Sequence, residues 1–215
     1  MRYPAPTINY APLKPLTDEL HNGLLNIYKR TKTYITSFEV IGFTGTYMSW
    51  AETNEEHQWI LDNILPFFNI SVGECLNLQY TEEDNNIKEL GIRTDNFPRT
   101  DWGFKKERVP KRLPNSLNFT TVHPHSVVTA HNDHEAGCKI NIPILNMSAA
   151  NLYFRQSDEQ YFYPAPVLLN CRKDHEVQRI ERMTEHNIPE RTFFQIVLKG
   201  EYEFYKSTLP LPNGY

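Results

Sequence analysis

The chain has 215 residues, a length typical of one domain. Lysine and arginine total 22 against 26 aspartates and glutamates, so the formal net charge of −4 excludes proteins that coat nucleic acid through bulk positive charge. A charged fraction of 22% and an aromatic fraction of 13% exclude an intrinsically disordered chain.

The N-terminal part of the sequence predicts an extended segment followed by two helices. Four prolines fall within the first 15 residues, and such a segment is extended and unsuited to a central strand. Apolar residues at helical spacing predict helices over residues 17–32 and 54–69. The second begins at a capping box formed by Thr53 and Glu56. One or two strands are predicted between residues 38 and 48, and residues 81–115 are predicted to be mostly loop.

From residue 116 onward the pattern predicts short strands separated by turn residues. They cover residues 117–121, 126–130, 139–145, 152–155, 167–170, 192–199 and 202–205. Such strands favour an antiparallel barrel or jelly roll, and helices placed before the strands argue against a parallel sheet. The predicted fold class is therefore mainly β with N-terminal helices (α+β). We expect one domain over residues 1–215, in which residues 1–115 flank a core at residues 116–205.

The sequence contains no stretch that we recognise as a membrane-spanning helix or a secretory signal. No apolar run approaches roughly 18 residues, so no membrane-spanning helix is expected, and the first residues lack the apolar segment of a secretory signal. The three cysteines, Cys75, Cys138 and Cys171, are widely spaced, which fits free thiols in a reducing compartment. We therefore expect a cytoplasmic protein.

The strongest chemical signal is the triplet His131-Asn-Asp133, which follows an apolar strand. Its imidazole and carboxylate are two residues apart, so they point to the same face of an extended chain. His175, which also follows an apolar strand, is the candidate third ligand. Two histidines and one carboxylate form the facial triad of non-haem Fe(II) oxygenases. A lone triplet of this kind is more often a strand-end histidine with ordinary hydrogen bonds.

Three stretches resemble the Fe(II)/2-oxoglutarate-dependent oxygenase superfamily, and more closely the small hydroxylase-like proteins of bacteria and their phages. They are HNDHEAGCKINIPILN (131–146), PVLLNCRKDHEV (166–177) and RTFFQIVLK (191–199). The resemblance covers about residues 116–205. It implies a double-stranded β-helix, a cupin-like jelly roll, in which His131, Asp133 and His175 hold iron.

The resemblance also implies that Arg191 pairs with the distal carboxylate of 2-oxoglutarate. A guanidinium offers a planar fork that matches a carboxylate in two hydrogen bonds. Arg191 follows the distal histidine by 16 residues, farther than in many members, and Phe193 stands where members often carry serine or threonine. Lys139 and Arg179 are alternative carboxylate partners, and Asn141 shares a strand face with Lys139.

These residues predict an oxygenase that hydroxylates a small molecule or protein side chain with 2-oxoglutarate and O2, in a bacterium or phage-infected cell. Related halogenases carry a small residue at the position of Asp133, so a carboxylate there favours hydroxylation. One alternative is a non-catalytic jelly-roll subunit of an assembly such as a phage particle, or a homo-oligomer, joined through proline-rich ends. Another is a cupin-type metalloenzyme without 2-oxoglutarate, with Arg191 turned away. Residues 81–115 and 155–165 are the candidate specificity loops.

Overall fold

The computed structural model describes residues 6–31, 33–39, 44–76, 117–122, 128–133, 136–147, 150–179 and 189–212. In these ranges the protein consists of two antiparallel β-sheets and three α-helices, so the predicted α+β class is confirmed. The predicted loops at residues 81–115 lie outside the described residues. No helix in the described ranges is long and apolar enough to cross a bilayer.

The described residues form three helices, and the first two begin at a threonine whose hydroxyl accepts a hydrogen bond from the first turn. The three helices are α1 (Asp18–Tyr28), α2 (Asn54–Phe67) and α3 (Tyr202–Thr208), and a 3-10 turn covers Val72–Glu74. The predicted capping box is confirmed, because the Thr53 hydroxyl accepts from the Glu56 N–H at 3.1 Å and the Glu56 carboxylate accepts from the Thr53 N–H at 3.4 Å. Both predicted helices are present, each shorter than its apolar pattern.

The strands form one large and one small sheet. In chain order they are β1 (Tyr10–Pro12), β2 (Thr33–Glu39), β3 (Thr44–Ser49), β4 (Leu117–Val122), β5 (Val128–His131), β6 (Cys138–Leu145), β7 (Ala150–Phe154), β8 (Glu159–Tyr161), β9 (Val167–Asn170), β10 (His175–Arg179) and β11 (Arg191–Leu198). The large sheet has the order β1-β9-β6-β11-β4-β3-β2, and the small sheet β5-β10-β7-β8. Three strands from before residue 116 thus belong to the large sheet.

The two faces of the large sheet pack against different layers. Along β11, Phe194 and Ile196 lie in an apolar cluster with residues of α1 and α2. Phe193 and Val197 point the opposite way and pack in a second cluster with residues of β7 and β8. The second cluster therefore fills the space between the two sheets, and side chains on this face of β11 and β6 line the interior.

Two expectations are wrong, one about the type of an element and one about the order of the elements. Residues 202–205 were expected to be a strand, but they lie in α3, where Tyr202 and Tyr205 are three positions apart and both buried. Helical spacing puts these two rings on one face, which a strand would not do. The helices also do not all precede the strands, since β2 and β3 lie between α1 and α2. The proline-containing β1 sits at the sheet edge, as its composition requires.

Candidate metal centre

The two candidate histidine ligands lie on neighbouring strands of the small sheet. His131 ends β5 and His175 begins β10, and the antiparallel register pairs these two residues directly. Their ring centroids are 4.5 Å apart. Residues 44 positions apart in the chain therefore meet because β5 and β10 are adjacent.

Asp133 completes the cluster from the segment that leaves β5. Its main-chain N–H donates to the Cys171 carbonyl at 2.9 Å, and its carbonyl accepts from the Ala136 N–H at 2.9 Å, which holds the turn. Asp133 Oδ2 lies 3.5 Å from His175 Nε2, and Oδ1 lies 4.0 Å from His131 Nε2. One ligand atom from each of the three residues lies within 4.8 Å of the others. The three predicted ligands are thus brought together.

The His175 ring is oriented by the main chain. Its Nδ1 lies 2.9 Å from the Lys173 carbonyl oxygen, which only accepts, so Nδ1 carries the proton and the Nε2 lone pair faces Asp133. Burial lowers the pKa of His175 to about 4, and repulsion from His131 acts in the same direction. A neutral imidazole with a free Nε2 lone pair is the form that binds metal ions.

Asp133 is kept ionised by its cationic neighbour. Burial alone would raise the pKa of this carboxyl, but the Lys139 ammonium outweighs burial, and the pKa of Asp133 lies below its ordinary value. Lys139 Nζ is 2.9 Å from Asp133 Oδ2, and its side chain is 14% exposed. Lys139, predicted to contact the co-substrate, therefore lies at the metal-ligand cluster itself.

The acidic neighbours of His175 have other partners. Asp174 and Glu176 flank His175 in the sequence, and carboxylates often orient a ligand imidazole through a hydrogen bond. Instead, Asp174 Oδ1 accepts from Asn132 Nδ2 at 3.0 Å, and Glu176 pairs with Arg155 at 3.0 Å. The Lys173 carbonyl, not either carboxylate, holds the ring.

The other predicted co-substrate residues lie deeper between the sheets. Arg191 is fully buried and starts the interior-facing row of β11. Asn141 is paired with Gln195 across β6 and β11, and its Oδ1 accepts from Gln195 Nε2 at 3.2 Å. The Thr120 hydroxyl on β4 donates to Asn118 Oδ1 at 2.9 Å and lies 3.2 Å from Gln195 Oε1. The interior face of the large sheet thus carries a buried row of polar side chains that can recognise a polar ligand. The Arg179 side chain is outside the described part of the chain.

Tyr163 belongs to the candidate specificity loop at residues 155–165 and lies in the interior. Its side chain is buried in the apolar cluster between the two sheets. Burial raises the pKa of Tyr163 to about 12, opposed by Asn141 and by the positive charge of Arg191. Its φ of 54° is the left-handed region, unusual for a non-glycine residue. No periodic signal in the short proline-flanked stretch around it predicts this placement.

The donor set fits a divalent transition metal. Two ligand atoms that share one ion lie at most about 4.2 Å apart. The carboxylate of Asp133 lies within that distance of both imidazoles, with Oδ2 3.5 Å from His175 and Oδ1 4.0 Å from His131, and one ligand atom from each of the three residues lies within 4.8 Å of the others. Two imidazoles with one carboxylate suit iron and its neighbours in the first transition row. The three cysteines are free and buried, as expected. No known family model matches the chain, and the search of curated proteins finds no match.

Proposed function

We propose that the protein is a non-haem iron oxygenase that hydroxylates a substrate with 2-oxoglutarate and O2. The observation that carries this proposal is the convergence of His131, Asp133 and His175 from two segments that are remote in sequence. Two histidines and one carboxylate hold Fe(II) on one side and leave the remaining positions to other ligands. When bound, iron would supply the redox chemistry with O2, while the protein binds and orients the reactants.

We also propose that the core is a double-stranded β-helix, and the strand pairing supports this. Taking β4 to β11 as eight consecutive strands, the first pairs with the last (β4 with β11), the second with the seventh (β5 with β10), the third with the sixth (β6 with β9) and the fourth with the fifth (β7 with β8). A long antiparallel ribbon rolled on itself gives this nested order, and such rolling is what defines a jelly roll. This winding brings the ends of β5 and β10 together at the cluster.

The chain's own residues provide a site for a dicarboxylate co-substrate. Arg191 on β11 would hold the distal carboxylate through its planar fork. Tyr163, protonated at neutral pH because its pKa is about 12, would donate a further hydrogen bond. Asn141 lies on β6 two residues after Lys139, which contacts the candidate ligand Asp133. Burial of these groups excludes water, which strengthens each contact with a charged ligand.

Anaerobic titration of the purified protein with Fe(II) and 2-oxoglutarate tests the proposal. The weak visible charge-transfer band of the iron chelate should appear in the unmodified protein. His175→Ala should lose the band, whereas His21→Ala, a histidine of α1, should retain it. Substrate-independent turnover of 2-oxoglutarate to succinate under air gives a second readout.

Three outcomes separate the alternatives. If no iron binds, the metal site and the enzymatic function are wrong, and the non-catalytic subunit is favoured. If iron binds but no band forms with 2-oxoglutarate, a cupin-type metalloenzyme that works without this co-substrate is favoured. If the band forms, Arg191→Lys should weaken 2-oxoglutarate binding while Fe(II) affinity is retained, because an ammonium lacks the two-pronged geometry.

A further inference from the structure

One side-chain hydrogen bond joins the two segments that carry all three candidate ligands. Asn132 lies between His131 and Asp133, and Asp174 directly precedes His175. Asn132 Nδ2 donates to Asp174 Oδ1 at 3.0 Å. A carboxylate only accepts hydrogen bonds, so the amide nitrogen of Asn132 must face it. We name this contact the Asn132–Asp174 clasp.

The clasp is held on its far side as well. Gln156 Nε2, from the turn after β7, donates to Asp174 Oδ2 at 3.3 Å, so both carboxylate oxygens of Asp174 accept a hydrogen bond. The carboxylate is therefore fixed in orientation between Asn132 and Gln156. Hydrogen bonds to an ionised acceptor are shorter and stronger than those between neutral groups.

The main chain alone leaves the alignment of the two segments incomplete. The β5–β10 pairing shifts register between His175 and Val177, directly beside the ligand His175. Asp133 lies beyond the end of β5 and is tied to the second segment through its N–H bond to the Cys171 carbonyl. A side-chain contact between positions 132 and 174 is therefore well placed to fix the distance between Asp133 and His175.

We propose that Asn132 and Asp174 are positioning residues whose clasp sets the relative placement of the metal ligands and thereby the metal affinity. The proposal rests on the metal site of the proposed function. Neither side chain is one of the three ligands, so the clasp acts through the residues next to it. Hydrogen-bonding partners that orient metal ligands typically alter metal affinity by about 10–100-fold when removed.

Titration of the full chain with Co(II), followed by calorimetry and by the visible d–d absorption, tests the clasp without any assay of activity. Asn132→Ala and Asp174→Ala should each weaken Co(II) binding about tenfold. The double variant should be no weaker than the weaker single variant, because both changes break the same bond. Asp62→Ala is the matched control, since Asp62 on α2 likewise accepts from a glutamine amide, at 2.8 Å from Gln58. It should bind Co(II) like the unmodified protein.

An exchange variant separates the clasp from charge and from folding. Asn132→Asp combined with Asp174→Asn keeps the net charge and restores one donor and one acceptor, so most of the affinity should return. Asn132→Ala leaves the net charge unchanged, so a weaker Co(II) affinity of this variant cannot be due to a lost charge. If Asn132→Ala does not fold, the exchange variant decides the question by whether it regains affinity.

Two results would overturn the clasp in distinguishable ways. If the unmodified protein binds Co(II) and Asn132→Ala binds it equally well, or if the two single losses multiply in the double variant, the clasp is wrong and the metal site stands. If the unmodified protein binds no Co(II), the metal site of the proposed function fails, and the clasp fails with it.

Discussion

At the scale of single residues, the charges around Asp133 would determine the affinity of the cluster for a cation. The carboxylate lies near two imidazole nitrogens, and Lys139 Nζ is 2.9 Å from its Oδ2. A divalent ion that binds Asp133 must share the carboxylate with this ammonium and be repelled by it. Lys139 is thus a neighbour that keeps Asp133 ionised while competing for the same oxygen.

Lys139→Met should therefore tighten Co(II) binding in the absence of 2-oxoglutarate. A hydrogen bond to a charged group contributes about 1.5–3 kcal/mol, so removing the competing ammonium should raise the affinity about tenfold. Calorimetric titration measures the change, and Lys139→Arg, which keeps the charge, should stay close to the unmodified protein. Weaker binding by the methionine variant would instead mean that Lys139 holds Asp133 in its ligating position.

At the scale of elements, the start of β6 is packed directly on the chain that links β11 to α3. A Cβ added at Gly137 would lie 2.2 Å from the Gly200 carbonyl oxygen, a main-chain atom that cannot rotate away. Gly137 also follows the turn that holds Asp133. Glycine is required here by the close approach of two main-chain segments rather than by an unusual φ.

Gly137→Ala should lower the free energy of unfolding by about 1–3 kcal/mol, as overpacking of a dense site does. Gly73→Ala is the control, because the nearest atom to its added Cβ is the Ser71 hydroxyl at 3.9 Å; its stability should change by less than about 0.5 kcal/mol. Urea unfolding of both variants measures the difference. Equal stability of the two would show that the β6 start can move away from Gly200 without cost.

The elements that the sequence predicted are those with a strong apolar pattern. The stretch Arg191–Leu198 is buried at every position and was recognised almost to its ends. β10 was missed because His175–Arg179 holds a single apolar residue, Val177, among polar ones. Aromatic residues with high strand propensity suggested a strand at 202–205. A helix forms there instead, because it buries both Tyr202 and Tyr205 on one face.

For the candidate site, the three residues that come together were predictable from the sequence and their surroundings were not. The spacing of His131 and Asp133 is local, so it is visible in the sequence. The approach of Lys139 to Asp133 depends on how β6 lies beside the turn after β5, and the Asn132–Asp174 clasp depends on the register of β5 and β10. Such contacts between remote segments are fixed by tertiary packing, which no single-sequence pattern encodes.

At the scale of the whole molecule, the large sheet separates two interiors of different character. On its helical side the cluster is apolar except for a group of three hydroxyls, those of Tyr28, Thr121 and Thr192, which lie within hydrogen-bond distance of one another. On the side facing the small sheet, apolar residues share the space with Arg191, Asn141 and the Tyr163 hydroxyl. Burying polar groups costs stability unless they are hydrogen-bonded, and the co-substrate site that we propose lies in this second interior.

The buried Tyr163 makes the whole molecule sensitive to alkali. Burial raises its pKa in the folded protein from the ordinary 10.0 to about 12. Below pH 10 both states keep the proton and this stability is fully present; between pH 10 and 12 only the unfolded chain releases it, so stability falls as the pH rises. A shift of this size corresponds to about 2–3 kcal/mol. Tyr163→Phe, measured by urea unfolding across this range, should lose correspondingly less stability than the unmodified protein; parallel curves would mean that the Tyr163 hydroxyl is hydrated in the folded state.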